Sequence, residues 1–296
     1  MLFFVTILVT AFSLVPFCCW AYEFRQKAVA EAPPGYNFPK VADFALTAKA
    51  TFVFCICDYV CREHLFVFFR PYCKEQTDSV LRDIRCKKSA VHLYKFLYFM
   101  ATTTYGYHIM KDTHFLSKLY GGSADSFAAG QLGHPYQDRS SYPRVREYQL
   151  ITFGYHCQGV VSLLVTAHKC DFIEMGLHHG ICLILYIGCY LLNICELSAE
   201  FGWMHDLADV PLALTKVLAE TRFSTATGSL FFFTTLLWTY TRCMAMPVIT
   251  WQCLFDTPNP GWHALLVPFF CFYMCCLVML HFYWLSMFIK MLSKYI

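Results

Sequence analysis

The chain has 296 residues, of which 57% are hydrophobic, 18% aromatic and only 15% charged, and its mean hydropathy is +0.45. Soluble domains carry about 25% charged residues, and one core could not hide this much apolar surface at this length. The composition therefore excludes a soluble globular protein and predicts an integral membrane protein. The net charge of +3 is too small to indicate nucleic acid as a partner.

Apolar runs of about 20 residues, the length that crosses a bilayer, recur along the chain. The first lacks a basic start and exceeds the apolar length of a signal peptide, so we predict a retained anchor. Two weaker runs carry charges: Phe44–Phe69, which could span or lie in the interface, and Ser198–Leu214. The chain is thus predicted to be all-α, with seven or eight transmembrane helices. The clear runs are Leu2–Ala21, Val91–Met110, Gln149–Ala167, Phe172–Cys195, Ala226–Thr250 and Trp262–Met291.

The distribution of Lys and Arg predicts the topology. The loop Phe69–Ala90 is strongly basic and is therefore predicted to be cytosolic, whereas the polar Lys111–Glu147 loop lies on the opposite side. Glu196 and Glu200 are expected to face that non-cytosolic interface. The 17 cysteines lie mostly in apolar runs and form no CxxC pair, so they are interpreted as reduced packing residues and not as a zinc site.

Ionisable side chains at membrane depth are costly and usually mark function. Two clusters occur, the pair His178-His179 and the sequence His205-Asp206-Leu207-Ala208-Asp209. Counted from the basic loops, both lie roughly 10–12 Å below the same membrane face. Their helices follow one another in the chain, so we expect antiparallel neighbours whose two histidines and two carboxylates meet at one level.

Helical phase suggests roles for these groups. His205, Asp206 and Asp209 are spaced to share one face, whereas His178 and His179 point about 100° apart. A histidine oriented by an aspartate could act as general base on an amine, or could itself accept an acyl group from a thioester. Pro211 removes an amide donor and predicts an irregular helix there.

Other assignments remain open on these residues. A buried polar network that only fixes helix packing is the structural alternative, and His108, His156 and His281 are interpreted as core histidines. Arg242 could serve as the counter-charge of the aspartates. A metal centre of two histidines and two aspartates is a competing chemical hypothesis, but no metal is predicted because the usual histidine boxes are absent.

The spacing of these residues resembles the ceramide synthases, the longevity-assurance branch of the TLC-domain membrane proteins. No gap is needed between His178 and Arg242, and a weaker likeness covers about residues 85 to 290. The matching positions are Asp171-Phe172, His178-His179, Asn193, His205-Asp206, Asp209, Lys216 and Thr241-Arg242.

This resemblance implies a helical barrel that transfers a fatty acyl group from acyl-CoA to the amine of a sphingoid base. It makes His178, His179, Asp206 and Asp209 the catalytic candidates. It also implies weaker, substrate-binding roles for Asn193, His205, Lys216 and Arg242. No cofactor is expected besides the co-substrate acyl-CoA, whose phosphates the basic cytosolic loops could hold.

The resemblance further implies a multi-pass protein of the endoplasmic reticulum whose active site opens toward the cytosol. We divide the chain into an N-terminal segment (1–84) with the anchor, a second apolar helix and the basic loop, a TLC domain (85–291) and a short cytosolic tail (292–296). Membrane lipid is an expected partner, and the sequence leaves open whether the chain forms a homo- or heterodimer. The rival hypotheses are a non-catalytic TLC-type protein that binds or senses lipid, and a metal- or haem-dependent lipid oxidoreductase.

Overall fold

The structure is a computed structural model that describes residues 18–125, 134–165, 172–255 and 260–293. Within these ranges all regular structure is helical, and the only β-pairs are two isolated bridges. The all-α prediction is therefore confirmed. The helices are α1 (residues 18–30), α2 (Phe44–Glu63), α3 (Ser79–Met110), α4 (Val145–Val165), α5 (Phe172–Leu191), α6 (Cys195–Ala219), α7 (Ser224–Trp238), α8 (Met246–Phe255) and α9 (Pro260–Leu292).

Three described segments are long and apolar enough to cross a membrane, namely Val41–Glu63, Phe172–Leu191 and Phe269–Leu292. They support the integral membrane class that the composition predicts. The first of them contains α2, which ends at Glu63 and is followed by a 3₁₀ helix, Leu65–Tyr72. Most of the predicted anchor Leu2–Ala21 lies outside the described residues.

The basic loop is shorter than predicted, because α3 already begins at Ser79. The side chain of Asp78 caps this 32-residue helix by accepting the backbone N–H groups of Val80 and Leu81. Four cations of the segment are paired with carboxylates: Arg70 with Asp83, Lys87 with Glu63, and both Lys74 and Arg85 with Glu220. These four cations thus already have anionic partners, although the sequence analysis expected this loop to hold the phosphates of acyl-CoA.

The irregular helix lies elsewhere than predicted. Pro211 is accommodated inside α6, which runs without interruption over 25 residues. A proline is tolerated in a buried membrane helix when neighbouring groups compensate for the lost hydrogen bond. The distorted segment is instead the π-helical stretch Thr239–Ala245, which joins α7 to α8 and carries Arg242. Such π segments are frequent at functional sites.

A polar cluster closes the turn between α5 and α6, and we call it the turn node (Tyr36, Arg139, Arg146, Asn193 and Glu196). Asn193 has a φ of 63° and is fully buried. Its amide donates to Tyr36 Oη at 2.7 Å and to the Pro135 carbonyl at 2.6 Å, and its Oδ1 accepts from Arg139 and Arg146 at 2.9 and 3.0 Å. Arg139 also pairs with Glu196 through Nε and Oε1 at 2.6 Å.

The expected interfacial position of Glu196 and Glu200 is wrong. Both are buried, with 0% and 1% of their surface exposed. Glu196 is held by Arg139, and Glu200 Oε1 accepts the backbone N–H of Ser117 at 2.8 Å. The loop after α3 folds onto α6 and supplies these partners, which a reading of the helices alone could not anticipate.

Candidate active site

Five histidines from four helices converge in the interior, and we call them the histidine cluster. The ring centroids of His178 and His205 are 6.4 Å apart, so α5 and α6 bring the two sequence clusters together as predicted. His156 lies 6.2 Å from His178 and 5.8 Å from His179, and His281 lies 5.1 Å from His205. The members are His156 of α4, His178 and His179 of α5, His205 of α6 and His281 of α9.

His178 and His179 contact different neighbours, as their phase predicts. The ring of His178 packs against Trp284 of α9 at 5.6 Å, and its Nε2 lies 3.7 Å from Cys182 Sγ one helical turn away. His179 faces α4, where Gly159 leaves room for it, since a Cβ at position 159 would lie 2.5 Å from His179 Cε1. The adjacent histidines are therefore set for different roles.

The tautomer of His205 follows from its hydrogen bond. Its Nδ1 lies 2.7 Å from the Phe201 carbonyl, which can only accept, so Nδ1 carries the proton and Nε2 is left as an acceptor. Within the described part of the chain His205 Nε2 is buried without a hydrogen-bond partner, and so is His178 Nδ1. Buried polar atoms are nearly always paired, so these imidazole nitrogens can form a hydrogen bond with a ligand or with a water molecule.

The two aspartates contact different helices and do not meet at one point. Thr102 of α3 donates its hydroxyl to Asp206 Oδ2 at 2.7 Å. Asp209 Oδ1 pairs with Arg242 Nη2 at 2.8 Å, so Arg242 is indeed a counter-charge. These carboxylates have partners other than imidazoles, which corrects the predicted single face of His205, Asp206 and Asp209.

Arg242 links the carboxylate to the histidine cluster. It is 2% exposed, donates to the His205 carbonyl at 2.7 Å and lies 3.4 Å from His281 Nε2, while Trp238 stacks against its guanidinium at 4.0 Å. An arginine only donates, so His281 Nε2 is an acceptor. The π-helical stretch turns this cation inward, between α6 and α9.

An apolar cavity begins at the histidine cluster and extends between α5, α6 and α9. Along α5 it runs from Cys182 to Cys189 and along α6 from His205 to Leu197, about 10–12 Å in each case. Polar groups occur mainly at the histidine end. The lining residues are His156, Cys182, Leu185, Tyr186, Cys189, Leu197, Ser198, Phe201, Gly202, His205, Phe270, Met274 and Leu277.

A family model described as the TLC domain matches residues 88–290, which hold the histidine cluster, both aspartates and the cavity. The chain belongs to the TLC-domain family. Curated proteins similar to this chain include ceramide synthases, the family that the motif spacing resembles. Ceramide synthase 4 of Mus musculus is 24% identical over 195 residues, 62% of this chain and 48% of that protein. Ceramide synthase 4 of Homo sapiens is 23% identical over 197 residues, 61% and 48% of the two chains. The chain thus spans about half the length of the curated relatives it matches.

The TLC domain does not bring all predicted site residues together. Asn193 belongs to the turn node, fourteen residues beyond His179, which corresponds to about 20 Å along the helix. Lys216 is exposed near the end of α6, seven residues beyond Asp209. The structure places neither side chain at the histidine cluster.

His156 and His281 of the TLC domain were expected to be ordinary core residues, and their place in the histidine cluster is what the sequence analysis missed. Both are buried, at 8% and 0% exposure, whereas His108 is exposed and so is not a core residue. The signal was present, since both histidines interrupt apolar runs at membrane depth.

Part of the histidine cluster has the compactness of a metal site. His156, His178 and Cys182 each offer one ligand atom, and these atoms lie within 4.8 Å of one another. Two imidazoles and a thiolate would suit zinc, with one position open. Neither aspartate belongs to this group, so the set differs from the two-histidine, two-aspartate centre considered from the sequence.

Proposed function

We propose that the chain is a sphingosine N-acyltransferase, a ceramide synthase that transfers a fatty acyl group from acyl-CoA to the amine of a sphingoid base. The observation that carries the proposal is the meeting of imidazoles that have unpaired nitrogens with an apolar cavity inside a TLC domain. The cavity has a volume of about 50 Å³, so only the carbonyl end of the acyl chain would occupy it, next to the histidines. The names of the curated relatives point to the same reaction.

The proposal assigns chemistry to the predicted residues. His178 or His179 removes a proton from the attacking amine or itself accepts the acyl group. Burial of the site keeps water away from the thioester of acyl-CoA. Asp209 acts on the site through Arg242, to which it is paired, and Asp206 lies next to His205 and is held by Thr102. Arg242 keeps the α6 backbone at His205 in place.

We extend the proposal to the setting of this reaction. Seven or eight spans would form a helical barrel in the endoplasmic reticulum membrane, with the site open to the cytosol where acyl-CoA is found. This orientation is supported by the basic residues 70–88, which lie just before α3 and in its first turns, since Lys and Arg concentrate on the cytosolic side.

The test is acyl transfer in membranes from cells that lack their own ceramide synthases. A labelled sphingoid base and a panel of acyl-CoAs are supplied to the wild type and to the His178→Ala/His179→Ala double variant. We expect N-acylated product from the wild type only. Equal product from both would place the chemistry elsewhere. No product across the panel from well-expressed wild type would overturn the proposal in favour of a lipid-binding protein.

A further inference from the structure

We propose that the phenols of Tyr94 and Tyr98, which we call the phenol row, carry a proton from Asp206 beside the histidine cluster to Asp58 near the end of α2. The inference rests on the proposed N-acyltransferase function and adds to it the route by which a proton leaves the buried site. The four side chains belong to α2, α3 and α6, and none of these residues is more than 7% exposed.

The proposed reaction releases one proton inside the protein at each turnover. An alkyl amine has a pKa of about 10, so the sphingoid base arrives as an ammonium and must lose one proton before its nitrogen can attack. That proton goes to the carboxylate of Asp206. The neutral amine then attacks the thioester, the bond from the acyl carbon to the CoA sulfur breaks, and a second N–H proton passes to that sulfur. The products are the amide, the CoA thiol and the proton on Asp206, which must be returned to water before the next turnover.

The inner end of the route is built by α3 and α6. Thr102 of α3 donates its hydroxyl to Asp206 Oδ2 at 2.7 Å, and Tyr98 lies one helical turn before Thr102 on the same face of α3. Asp206 interacts electrostatically with the phenol of Tyr98. The ring of Tyr98 is stacked on that of Tyr155 of α4 with 3.8 Å between the ring centroids, which fixes its position. The phenol row therefore begins at the candidate active site.

The outer end of the route lies at the basic segment. Tyr94 is one turn further along α3, about 6 Å from Tyr98, and interacts electrostatically with Asp58 of α2. Asp58 pairs with Arg62 at 2.5 Å and keeps part of its side chain exposed. Five residues beyond Asp58, Glu63 pairs with Lys87 at 2.6 Å. The row thus leads away from the membrane interior, toward the face that we propose to be cytosolic.

The polar atoms of the row are able to bind the groups that pass a proton on. Among the described residues, the hydroxyls of Tyr94 and Tyr98 and Oδ1 of Asp58 are buried and have no hydrogen-bond partner. Buried polar atoms are nearly always paired, and bound water commonly supplies the partner. A phenol both donates and accepts, so water molecules at these positions would join the row into one hydrogen-bonded chain. Chains of this kind at membrane depth typically carry protons.

Hydrocarbon surrounds the row on its other sides. The rings of Phe54 and Phe99 pack against Tyr98 with centroid distances of 5.2 and 5.3 Å. A charge is costly in such surroundings, so a proton on Asp206 does not pass through the apolar packing. The phenols offer the polar path that this packing lacks.

The test measures the speed of proton removal. Purified full-length protein is supplied with sphingosine and the acyl-CoA that gives most product, in H₂O and in D₂O. Tyr98→Phe and Tyr94→Phe should each lower kcat at least ~10-fold and leave KM for both substrates unchanged. The solvent deuterium isotope effect on kcat should rise above that of the wild type, because proton removal becomes the slow step.

A third tyrosine provides the matched control. Tyr273 of α9 is 0% exposed, and within the described part of the chain its hydroxyl is also buried without a hydrogen-bond partner. It packs in the main hydrophobic core and not among the side chains around Tyr94 and Tyr98. Tyr273→Phe removes the same atom from an equally buried ring, and it should keep the kcat and the isotope effect of the wild type.

Variants of Asp58 test the outer end. Asp58→Asn should lower kcat, whereas Asp58→Glu keeps a carboxylate and should retain most of it. Because Asp58→Asn also removes the partner of Arg62, it is combined with Arg62→Gln. The double variant should stay as slow as Asp58→Asn. Recovery of kcat in the double variant would mean that Asp58 acts through its ion pair and would contradict a role in proton transfer.

Two further results would overturn the exit path: unchanged kcat in both phenylalanine variants, or a loss of kcat with the isotope effect of the wild type. If Tyr98→Phe does not accumulate, Tyr94→Phe and Asp58→Asn decide the question. In all these cases the wild type makes N-acyl product, so only this inference is rejected. A wild type that makes no product on any acyl-CoA rejects the proposed function itself.

Discussion

The two ends of the α5–α6 hairpin treat buried polar groups in opposite ways. At the turn node, Asn193 uses both amide hydrogens and both lone pairs of its oxygen, and Arg139 and Glu196 neutralise each other. In the histidine cluster, among the described residues, His178 Nδ1, His205 Nε2 and His281 Nδ1 have no hydrogen-bond partner. In a membrane interior, where water cannot compensate, unpaired groups are costly. Arg139 Nε, Arg146 Nε and Glu196 Oε1 of the turn node also lack a hydrogen bond of good geometry, but the charges of Arg139 and Glu196 neutralise each other, whereas within the described part of the chain the three imidazole nitrogens have neither a hydrogen bond nor an ion pair. We call the turn node the paired end and the histidine cluster the unpaired end, and we infer that the first serves stability and the second chemistry.

The largest expected effect is at the unpaired end. Replacing both His178 and His179 with alanine should lower acyl transfer by about 10²–10⁴-fold, because general acid–base catalysis contributes that much. Truncating two side chains of the interior also leaves a cavity, so the amount of folded protein is measured in parallel. Activity per folded molecule is the measurement. The control is the substitution His108→Ala, at an exposed histidine of α3. A comparable loss of acyl transfer in this control would contradict a specific role of His178 and His179.

At the paired end, we expect the reverse pattern. Arg139→Met would leave Glu196, which is 0% exposed, without its cation. Breaking a buried ion pair on one side costs about 3–5 kcal/mol, so thermal unfolding in detergent should shift strongly downward. Arg139→Met combined with Glu196→Gln should recover part of the loss, because no charge is left buried alone. Activity per folded molecule should not change in either variant, and a selective loss of activity would contradict the division between the two ends.

A smaller effect is expected where the cluster meets α4. Gly159→Ala adds a methyl group that would lie 2.5 Å from His179 Cε1. Overpacking of this kind costs about 1–3 kcal/mol, and the displaced imidazole should reduce acyl transfer more than it reduces stability. Gly180→Ala is the matched control, because a Cβ there meets nothing within 4 Å although the residue adjoins His179. If both variants behave alike, the position of His179 does not matter for the reaction.

The sequence predicted the part of the site that depends on depth and phase alone. The distances from the basic loops placed His178 and His205 at one level, and their rings indeed lie 6.4 Å apart. Phase also separated His178 from His179. The sequence did not predict contacts between side chains of different segments, such as the hydrogen bond from Thr102 to Asp206 and the buried ion pair of Arg139 with Glu196. Those contacts join segments far apart in the chain, and no local pattern specifies them.

The π-helical stretch shows the same limit. Pro211 carried the usual signal of an irregular helix, yet α6 continues through it, and the distortion lies at Thr239–Ala245, just before Pro247, which cannot donate a hydrogen bond to the Cys243 carbonyl. The proline frees a carbonyl, and tertiary contacts favour the resulting geometry, because Arg242 reaches Asp209 and the His205 carbonyl from the neighbouring helix. The motif between His178 and Arg242 identifies the candidate site residues in the sequence. The packing of the helices determines which partner each side chain contacts.

The smallest effect is expected at Asp206, and it tests whether this aspartate has a structural role, as in the turn node, or a role in the reaction, as in the histidine cluster. It is 5% exposed and is paired, as in the turn node, yet it lies next to His205. Thr102→Val removes the hydroxyl that donates to Asp206 Oδ2 at nearly constant volume, which should cost about 1–3 kcal/mol of stability. We also expect a several-fold loss of acyl transfer per folded molecule, because the carboxylate is no longer held in one orientation. The control is Thr235→Val, whose buried hydroxyl donates only to the Phe231 carbonyl of its own helix at 2.9 Å. A loss of stability with unchanged activity would make Asp206 a structural residue and would leave the chemistry to the histidine cluster.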